Sequence, residues 1–148
     1  MNENGDSIKA ENPLVVTNVT KDSLLQPFFE IKTFIVQFSS SVNGSLVGDS
    51  LQIVEYNSSN SSVKAMANEK CHFVMWTDER GDSISAQNPI VISNIKADIK
   101  LIAIFELNKF DVQFICDGNG ILIGDTIQQI FEGRNASTII ALADSFYH

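Results

Sequence analysis

TFIVQFSSSVNGSLVGD, residues 33–49, decides the reading of this chain, because KFDVQFICDGNGILIGD, residues 109–125, repeats it without a gap at an offset of 76. The offset holds elsewhere: GDSIKAENPLVV at 5–16 returns as GDSISAQNPIVI at 81–92. Laid over itself at this shift, the chain aligns 72 residue pairs, of which 28 are identical, where unrelated segments of ordinary composition give about 4 or 5. A duplication of this strength governs the organisation of the fold. Its phase divides the chain into three: residues 33–108 form one complete unit of 76, residues 1–32 match the second half of a unit, and residues 109–148 match the first half. The two halves together make one unit that lacks only the counterpart of Phe73, Val74, Met75 and Trp76.

Within the unit the pattern is that of short strands. Phe34, Val36 and Phe38 fall on one face of residues 33–40 and Ile35 and Gln37 on the other, the period of two that a half-buried strand needs. Beta-branched and aromatic runs separated by turn residues predict further strands at 45–47, 51–56, 62–67, 72–77, 89–93 and 99–106. Asn43-Gly44 and Asn119-Gly120 are predicted to be tight hairpin turns of type I′, which need positive φ at both central residues. Helix is confined to single turns near 20–25 and 96–99. The fold class predicted is all-β, small antiparallel repeat domains in tandem.

The order of these marks resembles the divergent internalin-type B-repeats of bacterial surface and secreted proteins. The marks are FIVQF, NGSLVGD, LQIVEY, VKAMA, CHFVMWTD, AQNPIVI, SNIKAD and LIAIFE, and both half-units carry their share. The sequence departs from that pattern at Glu69-Lys70-Cys71 and at the Asn57 to Ser62 run, each of which replaces a glycine, and at Pro27, which stands where the next copy has Ala103. The resemblance implies an extracellular repeat that acts as spacer, stalk or adhesive module. It also makes an α+β, grasp-like sheet the alternative fold.

Composition and chemistry narrow the function. Eighteen acids against ten bases give a net charge of −8, which opposes binding to a phosphate backbone and excludes nucleic acid as the expected partner. No apolar run approaches the 18 or so residues of a spanning helix, so membrane insertion is not expected. The first residues, MNENGDSIKAENP, lack the features of a signal peptide, so either the signal has been removed or the sequence is an excised fragment. His72 and His148 are one position in two copies and read as structural rather than metal-binding or catalytic. Asp117-Gly-Asn-Gly lacks the further acids of a calcium loop, and the glycine pairs lack the Lys-Ser/Thr of a phosphate loop. No catalytic, metal or cofactor set is assigned, and the chain is read as non-enzymatic.

Three sets of residues remain as candidates. Asn18, Asn43, Asn57, Asn60 and Asn135 begin glycosylation sequons. Cys71 and Cys116 do not overlay in the repeat and are read either as one disulfide between adjacent units or as two buried free thiols. Trp76 reads as a core residue, or as a ligand contact if exposed, and Tyr56 is a second candidate aromatic contact. The expectation is an extracellular or cell-surface structural or adhesive protein whose partners are neighbouring repeats or copies of itself. In its sharper form the half-units of successive chains complete each other head to tail by strand addition. The competing class is a binding module for a glycan or a host-cell protein.

Overall fold

The computed structural model describes residues 11–148, so the first copy of GDSI lies outside the described residues. The chain divides into two compact units, Met1–Lys32 and Thr33–His148. Residues 11–32 form no strand or helix. The second unit carries β1 (Thr33–Ser40), β2 (Gly44–Val47), β3 (Leu51–Glu55), β4 (Lys64–Ala67), β5 (Cys71–Thr77), β6 (Ser83–Ser85), β7 (Ile99–Leu107), β8 (Lys109–Gln113), β9 (Gly120–Ile123), β10 (Ile127–Phe131) and β11 (Ile140–Ala143). The described fold is all-β, so the single helical turns and the α+β alternative are both corrected: residues 96–99 instead lead straight into β7, with the Asp98 side chain accepting the Ile35 N–H at 2.9 Å.

Five strands form one sheet in the order β3-β1-β7-β5-β6. β1 and β7 lie side by side and parallel, with Val36 opposite Ile99 and Ser40 opposite Ala103, so the sheet is mixed and not antiparallel as the sequence predicts: the long connection from Ser40 to Ile99 leaves room for the crossover that a parallel pair needs. The other neighbours in the sheet are antiparallel. β2 and β4 make a separate antiparallel pair. At the 76-residue offset the pairings recur: β8 with β10 repeats β1 with β3, and β9 with β11 repeats β2 with β4.

The inward face read from FIVQF is the face that packs. Val36 and Phe38 join Val54, Val63, Ala65, Trp76, Ile90, Ile95, Leu101, Ala103 and Phe105 in a single core. Trp76, fully buried, stands edge-on to Phe38 with ring centroids 5.7 Å apart and lies 5.8 Å from Phe73. Its indole N–H donates to the Gln87 carbonyl at 3.1 Å, which removes the cost of burying the one polar atom. At roughly 25 cal/mol per Å² over an aromatic's 150–250 Å², burying this ring contributes about 4–6 kcal/mol before entropy is counted.

The Asn-Gly pairs are not the hairpin turns the sequence predicts. β1 and β2 belong to different sheets, and of the first pair only Asn43 has a left-handed φ, 73°. In the second loop the positive φ falls on Gly118. Gly44 is required for space: a Cβ there would sit 2.3 Å from the Phe105 ring. Gly120 likewise lets the Leu142 carbonyl approach to 2.4 Å from where a Cβ would be. The turn after β3 is built on Asn57 at φ 65° and the turn after β10 on Gly133 at φ 78°, so the asparagine substitutes for the missing glycine by adopting the same left-handed conformation. Residues 89–93 supply one bridge, Val63 to Ile90, rather than a strand, and β6 is a strand the pattern did not predict.

Gly44→Ala should therefore destabilise the fold by about 1–3 kcal/mol, an overpacking cost, with part of the loss restored in the double variant Gly44→Ala/Phe105→Leu. Urea unfolding of the two variants checks this. Gly81, where φ is 89° and nothing lies within 4 Å of an added Cβ, should show a loss of about 1–2 kcal/mol from backbone strain alone.

Candidate functional site

The second half of the complete unit is bound to the first half by side-chain amides that act as strand edges. Asn88 grips the outer edge of β4: its Oδ1 accepts the Ala65 N–H at 2.9 Å and its Nδ2 donates to the Ala65 carbonyl at 2.8 Å. Asn60 does the same for the next segment, its Oδ1 accepting the Ile92 N–H while its own backbone N–H donates to the Ile92 carbonyl at 3.2 Å. These two amides satisfy the groups a ladder would otherwise pair, which is why residues 89–93 need only one bridge.

A third amide recurs. Gln52 Nε2 donates to the carbonyls of Asp49 and Ser61 at 2.8 and 3.1 Å, and its Oε1 accepts the Ser61 N–H at 2.6 Å. Gln128 makes the same three bonds to Asp125 and Ser137 at 2.8, 3.2 and 2.6 Å. Both glutamines are buried, and among the described residues no buried side-chain polar atom lacks a partner. The sequence carries a signal for this latch: between 51–60 and 127–136, Gln52 and Gln128 are the sole identity.

Asn108 joins the complete unit to the half-unit that follows. Its backbone N–H donates to the Lys70 carbonyl at 2.8 Å, and its carbonyl accepts the Glu132 N–H at 2.9 Å. Its side chain donates to Glu132 Oε2 at 2.7 Å and accepts from His72 Nδ1 at 2.9 Å. Lys109 Nζ lies 5.0 Å from the Phe131 ring centre. His72 thus contacts an amide at the junction.

The remaining candidates are scattered. Trp76 lies wholly in the core, so a ligand contact through its indole is corrected: no ring atom is open to solvent. Tyr56 is half exposed and packs at a tilt on Phe34, 6.3 Å between centroids. Cys71 and Cys116 are free thiols, so no disulfide joins them, but neither is buried as the sequence reading expects: Cys71 is partly buried, and Cys116 is exposed in its loop, where its Sγ faces the Gly120 carbonyl at 3.3 Å. Asn18, Asn57 and Asn135 are exposed and Asn43 is partly buried, whereas Asn60 is 5 % exposed with its amide nitrogen donating to the Ser61 carbonyl. The Asp117 carboxylate accepts the N–H and the side-chain amide of Asn119, and these bonds hold it below the usual carboxylate range.

Among the described residues no group of three or more His, Cys, Asp or Glu is placed to hold a metal ion, and no helix is long and apolar enough to cross a membrane. An open cleft beside β3 is lined by Asp49, Gln52, Val54, Glu55 and Ser58, Ser59 and Ser61 among others. What the arrangement offers is edges: among the described residues β8 has only β10 as a hydrogen-bonded neighbour, and β11 only β9. Compared with known proteins, the chain matches no family model, no curated protein and no solved structure.

Gln52→Ala should expose the Ser61 N–H and strand two carbonyls, costing about 2–4 kcal/mol. Gln128→Ala should release Ser137 while leaving Ser61 protected. Residue-resolved hydrogen exchange at the two serine amides separates these outcomes.

Proposed function

We propose that residues 33–108 are one unit of a tandem β-repeat that works mechanically, as the spacer, stalk or adhesive array of an extracellular or cell-surface protein, and performs no catalysis. The observation that carries this reading is the placement of the two strands through which the chain enters and leaves the unit. β1 begins the unit and β7 ends it, and the two are adjacent, parallel and hydrogen-bonded from Val36–Ile99 to Ser40–Ala103. Tension applied at Thr33 and Asn108 pulls such strands past each other lengthwise. The bonds between them lie across the pull and share the load, so they fail together rather than one by one. A unit wired in this way resists extension, which is what a stalk needs.

Three further features support the reading. The strand pairings and the glutamine latch recur at the same 76-residue offset. The order of motifs resembles bacterial B-repeats. A unit of 76 residues is small for a self-sufficient core, and neighbours that share a junction such as Asn108 offset that weakness. The competing reading, a glycan- or protein-binding module, loses its main aromatic contact with Trp76 in the core.

Force spectroscopy on a concatemer of residues 33–108 tests the proposal. Each unit should unfold in a separate event that releases on the order of 250 Å of chain. The force should fall at least twofold when the unit is anchored instead at residues 33 and 55, where β1 and β3 are antiparallel and Thr33 faces Glu55, so the bonds are peeled in turn. Equal forces for the two geometries would refute a mechanical role for the β1–β7 pairing.

A further inference from the structure

The two open edges in residues 109–148 have a known complement. In the complete unit the equivalents of β8 and β11 are β1 and β4, and both are covered by the second half of the unit: β7 lies along β1, and Asn88 and Ile90 close the outer edge of β4. The same second-half positions occur in residues 11–32. Asn12 corresponds to Asn88, Leu14 to Ile90, Val19 to Ile95, Leu25 to Leu101 and Phe29 to Phe105. In the complete unit Ile90, Ile95, Leu101 and Phe105 are core, with Phe105 only 5 % exposed; in residues 11–32 Phe29 is 85 % exposed and Leu14, Val19 and Leu25 are exposed as well. One chain thus carries an uncovered acceptor and an unburied donor for the same packing.

We infer that residues 11–32 of one copy of this chain dock on β8 and β11 of a second copy, completing its half-unit. The inference rests on reading 33–108 as a repeat unit and adds a partner and a register. Transferred by 76 residues, the β1–β7 register places Ser23 opposite Val112 and Pro27 opposite Cys116 in a parallel ladder. The Asn88 clasp becomes Asn12 on the backbone of Ala141, and the Val63–Ile90 bridge becomes Ile139 with Leu14. The contact is head to tail, so association continues until a ring closes or the supply of chains ends.

Residues 11–32 cannot reach the acceptor edges of their own chain. Val36 faces Ile99, so the level of Thr33 and the end of β7 at Leu107 lie about 36 Å apart along the sheet. Asn108 alone links β7 to β8, and one residue is too short to reverse a strand, since the tightest hairpins use two and pair their strands. Cys116 therefore lies beyond that distance from Thr33. From Pro27, placed opposite Cys116, only six residues run to Thr33, a reach of at most about 22 Å.

The completed unit is weaker than the complete one. Residues 11–32 and 109–148 supply no counterpart of Phe73 or Trp76, against which Phe105 and Phe38 pack. Pro27 contributes no N–H to the ladder. Asp22, the counterpart of Asp98, meets Asp111 in place of Ile35, and a net charge of −8 per chain adds repulsion. Association should therefore depend on concentration and strengthen with salt, which screens like charges.

The test uses the whole chain and two variants, each at a residue exposed in the free chain and buried in the docked one: Phe29→Asp in the donor and Ala141→Arg in the acceptor. Light scattering of the unaltered chain in 0.5 M salt, with concentration raised a hundredfold, should show the average mass climbing to at least twice 16.3 kDa. Each variant alone should stay at that single mass, with Trp76 emission unchanged as the measure of folding. Mixed in equal amounts, they should form a complex of twice the mass and stop, because one keeps the only working acceptor and the other the only working donor. A wild-type chain that stays monomeric, variants that associate alone, or a mixture that stays at the single mass would each overturn the docking. The mechanical reading would then still stand or fall on the concatemer experiment.

Discussion

β7 enters the sheet between β1 and β5, parallel to one and antiparallel to the other, and the buried side chains of the unit are those that face it or pack beneath it. Its pairing with β1 joins residues more than 60 apart in sequence, Val36 with Ile99 and Phe38 with Leu101. Such a contact forms only after a long loop has closed, so local propensity alone cannot set it. Once it forms, Leu101, Ala103 and Phe105 meet Val36, Phe38 and the aromatic cluster around Trp76. The residues of 109–148 show what the first half is like without it. Their strands pair as in the complete unit and the glutamine latch is closed, yet none of their side chains belongs to the core.

Polar residues inside this fold are there because its strands are short and irregular. A four-residue strand such as β4 cannot present a continuous edge to residues 89–93, so Asn88 supplies both a donor and an acceptor to Ala65 in place of a backbone partner. Gln52 closes the loop between β3 and β4 in the same manner, and Asn60 fixes the segment after it. Each amide is satisfied, so burial brings its directional bonds without the penalty of an orphaned group. The unit holds together through a modest apolar core and a set of amides that define where its irregular segments lie.

Most strands were legible because period-two patterning survives in one copy when it fades in the other. The inward face of Phe34, Val36 and Phe38 was plain, and β1, β3, β5 and β7 follow the run of apolar residues closely. What could not be read was which strand lies beside which. Asn43-Gly44 looks like a hairpin turn because that dipeptide tolerates positive φ, whereas the glycine there answers to a ring, Phe105, sixty-one positions further on. The same blindness hid the amide clasps, since an asparagine in a polar stretch reads as a turn residue until its long-range partner is known. The glutamine latch is the exception: an identity surviving alone in a diverged segment marks a residue whose bonds no other side chain of that length can make.

The junction at Asn108 gives the repeat its direction. β7 closes one unit and β8 opens the next, with a single residue between them, so the strand that completes the core of the first also sets the starting point of the second. Asn108 uses both backbone groups and both ends of its amide to tie that point to β5 on one side and to the turn after β10 on the other. A single residue held by all of these bonds leaves the joint few free torsions, so the place where β8 starts is set by backbone and amide bonds rather than by apolar packing.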